Sequence, residues 1–258
     1  MLKEIVIAIQ SYFKAHQLIR KHKLWKWILI PGIIYAILFM VSMYFFGQSA
    51  SQFIEFLSLK TGLKQWLDSM QSGLLGVLFT LAGLILWLIL MLFYFSLFKY
   101  VWLILGSPLF AYLSEKTETI ITGKEFPFSG KQLFKDAMRG MAIALRNSLW
   151  QIVYLVAILF LSLIPLAGWV TPLIALMIEC YYYGASMLDY SCERRKMTMS
   201  ESIFFINHHR GLAIGNGIVF YGMHLIPFIG WILAPAYAVI AATLSMIDVN
   251  KEIISNER

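Results

Sequence analysis

The sequence predicts an all-α integral membrane protein: two long transmembrane helices, two helical hairpins that enter the bilayer part way, and an N-terminal amphipathic helix. Three observations point to this class. The mean hydropathy of +0.73 lies far above that of soluble domains. Of the 258 residues, 60% are apolar and 14% charged, and no stretch is polar enough and long enough for a separate globular unit. Uncharged runs of 20, 26, 32 and 37 residues recur along the chain, each able to enter or cross a hydrocarbon layer of about 30 Å. One membrane domain over residues 1–258 follows.

A net charge of +7 raises nucleic acid as a partner, but six of the 21 Lys and Arg precede the first apolar run, where membrane proteins carry their cytoplasmic anchors. The expected partner is membrane lipid, with no nucleic acid. Cys180 and Cys192 are too few and too differently placed for a disulfide framework or a zinc site, so free thiols and no metal are expected. The short apolar run at residues 5–9 is followed by Gln10 and Lys14 without a small-residue cleavage site, unlike a secretory signal.

Residues 1–24 form the amphipathic segment. Leu2, Ile5, Ile9, Tyr12 and Phe13 fall on one side of a helix and Lys3, Gln10, Lys14, Gln17 and Lys21 on the other. Two placements stay open, in the membrane surface or against the protein's own cytoplasmic loops. Span 1 covers residues 27–46, whose 20 uncharged residues reach about 30 Å. The segment 47–72 holds few Lys or Arg beside Glu55 and Asp68, which places it outside as a short external helix. Span 2, residues 73–105, is longer than a vertical crossing needs and is expected to tilt and protrude into the cytoplasm. Gly106, Ser107 and Pro108 then predict a break, with Ser107 as N-cap and Pro108 opening a new helix. After a turn-rich connection at 123–131, a helix with Phe134, Met138 and Leu145 on one face leads to Arg146.

The hairpins occupy residues 148–186 and 211–247. Each carries Leu-Ile-Pro-x-x-Gly-Trp near its middle, so Pro165 and Gly168, then Pro227 and Gly230, mark the turns. Proline removes a helical hydrogen bond and glycine lets the backbone reverse. The limbs of the second hairpin, about 16 residues each, reach only about 24 Å, which favours partial insertion from the cytoplasm over a pair of thin full crossings. Arg194, Arg195, Lys196 and Arg210 hold the intervening loop in the cytoplasm, with both termini on the same side.

The chain has no HExxH, no GxSxG, no P-loop and no dinucleotide-type glycine fingerprint, so neither an enzyme nor a cofactor is expected. Paired broken helices point instead to a substrate path. Asn216, His224 and Thr243 are its candidate lining, with Glu179 in the first hairpin. Lys23, Lys26, Arg139, Arg146 and Arg210, with His208 and His209, offer positive charge near the cytoplasmic ends, which at a pore mouth selects anions. The plainer readings stand beside these: packed hairpins with no path, basic residues as topology anchors, and His224 bonding the bend.

The order of several segments resembles the CysZ-like family of bacterial inner-membrane sulfate permeases, whose wider relatives include the etoposide-induced membrane proteins. The likeness lies in "LWKWILIP", "GSPLFAYLSEKTE", "LDYSCERRKMTMSESIFFINHHRGLAIGNG" and "LIPFIGWILAPAYAVIAATLSMIDV", which together cover nearly the whole chain. It implies two long helices with two hemi-penetrating hairpins, a dimer or larger homo-oligomer, and sulfate entry for cysteine synthesis. The family's anion-binding Gly-Leu-Arg-Arg turn corresponds to Lys23, Leu24, Trp25 and Lys26, with Lys26 keeping the positive charge. Its Tyr-Leu-Pro-Arg stretch corresponds to residues 143–146 and keeps Arg146. The expected function is an inner-membrane permease or channel for a small inorganic anion, sulfate first. A non-transporting protein that organises partners in the envelope is the alternative.

Overall fold

The computed structural model describes residues 1–60, 74–123, 130–162, 164 and 167–256. The expected turn at Pro165, most of the 123–131 connection and the later part of the external segment lie outside the described residues. Within them the chain is all-helical, in the order α1 (Leu2–Lys21), α2 (Trp25–Lys60), α3 (Leu74–Thr122), α4 (Gly130–Ser162), a 3-10 turn (Ala167–Trp169), α5 (Thr171–Arg194), α6 (Met199–His208), α7 (Arg210–His224) and α8 (Ile229–Asn256). Three segments among the described residues are long and apolar enough to cross a membrane: Trp25–Ser49, Met138–Ser162 and Ile229–Val249.

Two expected breaks are absent. Helix α2 continues through Gly47 to Lys60, where a separate external helix was expected. Helix α3 runs for 49 residues through Gly106, Ser107 and Pro108, where span 2 was expected to stop. The reason is local. Pro108 cannot donate to the Ile104 carbonyl four residues earlier, but the Ser107 hydroxyl donates to that oxygen at 2.9 Å and replaces the lost bond. A helix of 49 residues is about 74 Å long, so α3 extends well beyond a hydrocarbon layer.

Helix α8 lies at the centre. Residues 234–247 are all buried, and α8 touches α1, α2, α3, α5 and α7. Its apolar length therefore serves packing against protein on most sides, whereas α2 and α4 turn many large apolar side chains outward, among them Ile34, Ile37, Val153 and Phe160. Helix α7 packs against α5 through backbones in near contact. A Cβ on Gly184 would stand 1.9 Å from the Ala213 carbonyl oxygen, and one on Gly217 2.1 Å from that of Cys180. Small residues are the usual device for such approach between membrane helices. Tyr183 and Phe220 stack at 3.6 Å beside them.

Helix α1 packs along α7 and α8 with a face that shares Tyr12 with the expected apolar side and is rotated away from Leu2 and Phe13. Ala8, Ser11, Tyr12, Ala15, Leu18 and Ile19 are buried, while Leu2 and Phe13 are 78% and 70% exposed. Close packing selects the face: Gly215 of α7 meets Ala8 and the Ile5 backbone, an approach that the small Ala8, Ser11 and Ala15 permit and larger residues do not. Polar bonds fix the register. Tyr12 Oη donates to Asn216, His16 Nδ1 lies 2.7 Å from Tyr237 Oη, and Lys14 Nζ pairs with Asp248 at 2.6 Å. Glu4 accepts from the Gly211 N–H at 3.1 Å and meets His209 Nδ1 at 2.7 Å, a carboxylate at the N-terminal end of α7 where the helix dipole favours it.

The first tip holds the 3-10 turn at Ala167–Trp169, and the second falls at residues 225–228, between α7 and α8, with Gly230 in the first turn of α8. In the second, however, the left-handed residue is Phe228, with φ +59°, not the glycine. Gly230 is needed for space: a Cβ there would stand 1.8 Å from the Met223 carbonyl oxygen. Gly168 plays the same part against Ser162, whose carbonyl oxygen would lie 2.5 Å away.

Candidate functional site

The described residues enclose a cleft of about 580 Å³ between α4 and α5, closed at the end away from the hairpin tip by α6 and the start of α7. Helix α4 supplies Ile143, Arg146, Asn147, Trp150 and Tyr154, spaced at three and four residues and hence on one stripe. Helix α5 supplies Tyr181 and Tyr182 opposite, and Asn207 and Arg210 come from the junction of α6 and α7.

Charge is arranged unevenly in this cleft. Asp189 lines it but is neutralised: its Oδ1 lies 3.0 Å from Arg139 Nη2, and Ser202 Oγ donates to the same oxygen. Arg139, a candidate for anion contact, is committed to this pair and to the Met197 carbonyl. Arg146 and Arg210 are different. Among the described residues neither guanidinium meets a carboxylate; Arg146 reaches Asn147 Oδ1 at 3.4 Å and Arg210 Nε the Asn207 carbonyl at 3.0 Å. Tyr181 sits within electrostatic reach of both and donates to Asn207 Oδ1 at 2.7 Å. Asn147 Nδ2 bonds Ser186 at 3.0 Å, which fixes α4 against α5 beside Arg146. Two guanidinium groups with donors to spare, half-buried or exposed beside amide and phenol groups, have the chemistry to donate hydrogen bonds to an oxyanion.

Other candidates lie elsewhere. Lys23 is in the α1–α2 turn with φ +53°, and Lys26 is exposed on the first turn of α2; neither lines the cleft. Leu24 between them is buried and its N–H donates to the Ile19 carbonyl at 3.1 Å. Asn216 is fully buried, with Nδ2 donating to the Ala238 carbonyl at 2.9 Å and its oxygens accepting from Tyr12. His224 Nε2 lies 2.8 Å from Tyr35 Oη, and the His224 carbonyl accepts from Trp231 Nε1 at 3.0 Å, so this residue ties both limbs of the bend to α2. Thr243 accepts from Ser191 at 3.0 Å and lies 3.1 Å from the Ser114 hydroxyl. Glu179 is buried and accepts from Tyr221 Oη at 2.6 Å. His208 turns back to the Phe204 carbonyl at 3.0 Å and His209 to Glu4, so the pair serves two separate local contacts.

Sequence reasoning named Arg146 and Arg210 as anion candidates without joining them, and did not name Asn147, Tyr181, Tyr182 or Asn207, which line the same cleft. The helical spacing of Arg146, Trp150 and Tyr154 was a readable signal; the approach of Arg210 was not, because it depends on how α4 and α7 are both set against α5.

Comparison with known proteins adds to this geometry. A protein from Pseudomonas aeruginosa named sulfate transporter CysZ is 26% identical over 230 residues, 88% of this chain and 89% of the relative. One of the same name from Pseudomonas paraeruginosa is 27% identical over 230 residues with the same coverage. Another from Pseudomonas syringae pv. tomato is 29% identical over 159 residues, 61% of this chain and 62% of that protein. The family described as "Sulfate transporter CysZ/Etoposide-induced protein 2.4" matches residues 11–235, nearly the whole chain, and this protein belongs to that family.

Proposed function

We propose that the protein is a bacterial inner-membrane permease for an inorganic oxyanion, sulfate first, and that Arg146 and Arg210 are its anion contacts. The observation that carries the reading is the pair of arginines, without carboxylate partners among the described residues, facing one cleft beside a hairpin whose residues 147–178 hold no charge. The names of the Pseudomonas relatives support sulfate as the first substrate to try.

Physical chemistry gives the arrangement its role. Sulfate is strongly hydrated, and a site that admits it must replace water with directed donors. Guanidinium forks do this by paired hydrogen bonds to two oxygens at once, and the amides of Asn147 and Asn207 add further polar contacts. Lys23 and Lys26 act at a distance, raising the local anion concentration at the mouth, with Leu24 fixing their turn. Asn216, His224 and Thr243 hold the walls of the path through the bonds given above. Gly168, Pro227 and Gly230 shape its inner end, where irregular backbone is tolerated against protein or water. The positive-inside rule sets both termini in the cytoplasm. The working unit is a homo-oligomer, as the family likeness implies.

Radiolabelled sulfate uptake into proteoliposomes, with phosphate and chloride as competitors, tests the reading. Sulfate flux above that of empty vesicles, reduced by phosphate more than by chloride, is expected. No flux for any anion would remove the permease and leave the non-transporting envelope organiser.

A further inference from the structure

The cleft holding Arg146 and Arg210 has a second half that an inorganic anion leaves unused. From the arginines towards the hairpin tip its walls become aromatic and aliphatic. The rings form a continuous series, with Trp150 and Tyr154 at 6.5 Å, Tyr154 and Tyr182 at 6.2 Å, and Tyr182 and Tyr181 at 5.2 Å. Ile174 and Met177 face them across the cleft. This half is open to the outside: Trp150, Tyr154 and Ile174 are 50%, 45% and 39% exposed.

Depth matches the polarity. Arg146 is the last charged residue before Glu179, so it stands where the charge-bearing part of α4 gives way to the part suited to hydrocarbon. Tyr154 is eight residues further on, about 12 Å along the helix axis. Trp150, one turn beyond Arg146, is at the headgroup boundary, where aromatic rings with polar tips are usual, and Tyr154 carries the wall on into the apolar layer. The volume, about 580 Å³, is many times that of a sulfate ion and within the range of sites for larger ligands. A charged end at the membrane surface joined to an open apolar groove pointing into the bilayer describes the two ends of an amphiphile.

We propose that the cleft is a binding site for one acidic phospholipid, its phosphate held between Arg146 and Arg210 and an acyl chain laid along Trp150, Tyr154, Ile174 and Met177. The proposal rests on the reading of the two arginines as oxyanion contacts. It adds that the lipid and the inorganic anion compete for the same groups, so the acidic-lipid content of the membrane sets how often the arginines are free for transport.

The full chain in lipid nanodiscs tests this by tryptophan fluorescence, since bromine on an acyl chain quenches only rings that the chain touches. Brominated phosphatidylglycerol is placed as a minor component in phosphatidylcholine, and brominated phosphatidylcholine at the same fraction serves as reference. The Trp150 share is read as the difference from Trp150→Phe. Phosphatidylglycerol should quench Trp150 well beyond its fraction in the bilayer. Arg210→Gln, at an exposed position that does not threaten folding, should weaken this binding about tenfold, and Arg146→Gln likewise. Soluble glycerol phosphate, which offers the same headgroup chemistry without the chain, should displace the lipid only poorly. Equal quenching by the two lipids in the unsubstituted protein overturns the proposal, and so does competition by glycerol phosphate at parity with the lipid. Sulfate flux in pure phosphatidylcholine vesicles separates the two readings: flux with no lipid preference removes only the lipid site, while a lipid preference with no flux supports it and removes only the permease.

Discussion

The Tyr12 hydroxyl lies 2.9 Å from the Asn216 carbonyl oxygen and 3.2 Å from its Oδ1, with both residues buried, so one side chain of the N-terminal helix serves both oxygens of a residue in the second hairpin. Asn216 Nδ2 carries the link on to the Ala238 carbonyl of α8. Three helices meet in this one set of bonds. Tyr12→Phe leaves the ring packing in place and strands Asn216, which should cost about 1–3 kcal/mol. Thermal unfolding in detergent micelles measures it, and much of the loss should persist when Asn216→Ala is already present, because the backbone carbonyl of residue 216 still accepts from Tyr12. A Tyr12→Phe protein as stable as the parent would contradict the link.

Close approach between α5 and α7 gives a sharper contrast. Gly184→Ala or Gly217→Ala forces a methyl group against a backbone carbonyl at about 2 Å, so the helices must separate, and a loss of about 3 kcal/mol or more is expected. Gly222, in the same hairpin, has nothing within 4 Å of its Cβ position. Gly222→Ala should be neutral or raise stability by about 0.5–1 kcal/mol through helix propensity. Unfolding midpoints of the three variants decide the matter, and a Gly184→Ala protein as stable as the parent would contradict the packing.

Arg139 and Asp189 form a pair that sequence reading did not join. Removing Arg139 alone leaves the buried Asp189 carboxylate with Ser202 and no cation, which should cost about 3–5 kcal/mol. Replacing both residues together, Arg139→Met with Asp189→Leu, should restore most of that loss. A double variant as unstable as the single one would mean that the pair's value lies in its geometry and not in the uncompensated charge.

Cys192 is fully buried beside Met246, near the C-terminal end of α5, and burial pushes its thiol up to about 12. Because the shift is upward, the group stays protonated through the neutral range, with about one thiolate in ten thousand at pH 8. Maleimide should leave Cys192 unmodified in the native micelle between pH 6 and 8 and label it on unfolding. Rapid native labelling in a Cys180→Ala background would show that α5 opens here.

Much of this architecture was legible because apolar length and charge placement are one-dimensional signals. The repeated Leu-Ile-Pro-x-x-Gly-Trp marked the stretches where the 3-10 turn at Ala167–Trp169 and the junction of α7 and α8 fall, and Arg146 stood out at the border of an uncharged run. Local signals misled where a neighbour compensates. Pro108 looked like a stop until the Ser107 hydroxyl took over the Ile104 carbonyl. Phe13 belongs to the apolar side expected of α1, but the glycines of α7 draw the small-residue side of α1 inward and leave Phe13 exposed. Arg210 could not be joined to Arg146 from sequence at all, since 64 positions separate them and only the packing of α4 and of α7 against α5 brings both to Tyr181.

Sulfate flux through proteoliposomes carrying Arg146→Gln, Arg210→Gln and the double variant, at matched protein content and with thermal unfolding recorded for each, tests the shared oxyanion site most directly. Each single variant should lose about tenfold or more in initial rate while keeping its unfolding midpoint, and the double should lose less than the product of the two because both act on one ion. Flux that is unchanged in both single variants, in folded protein, would contradict the assignment of these arginines as the anion site.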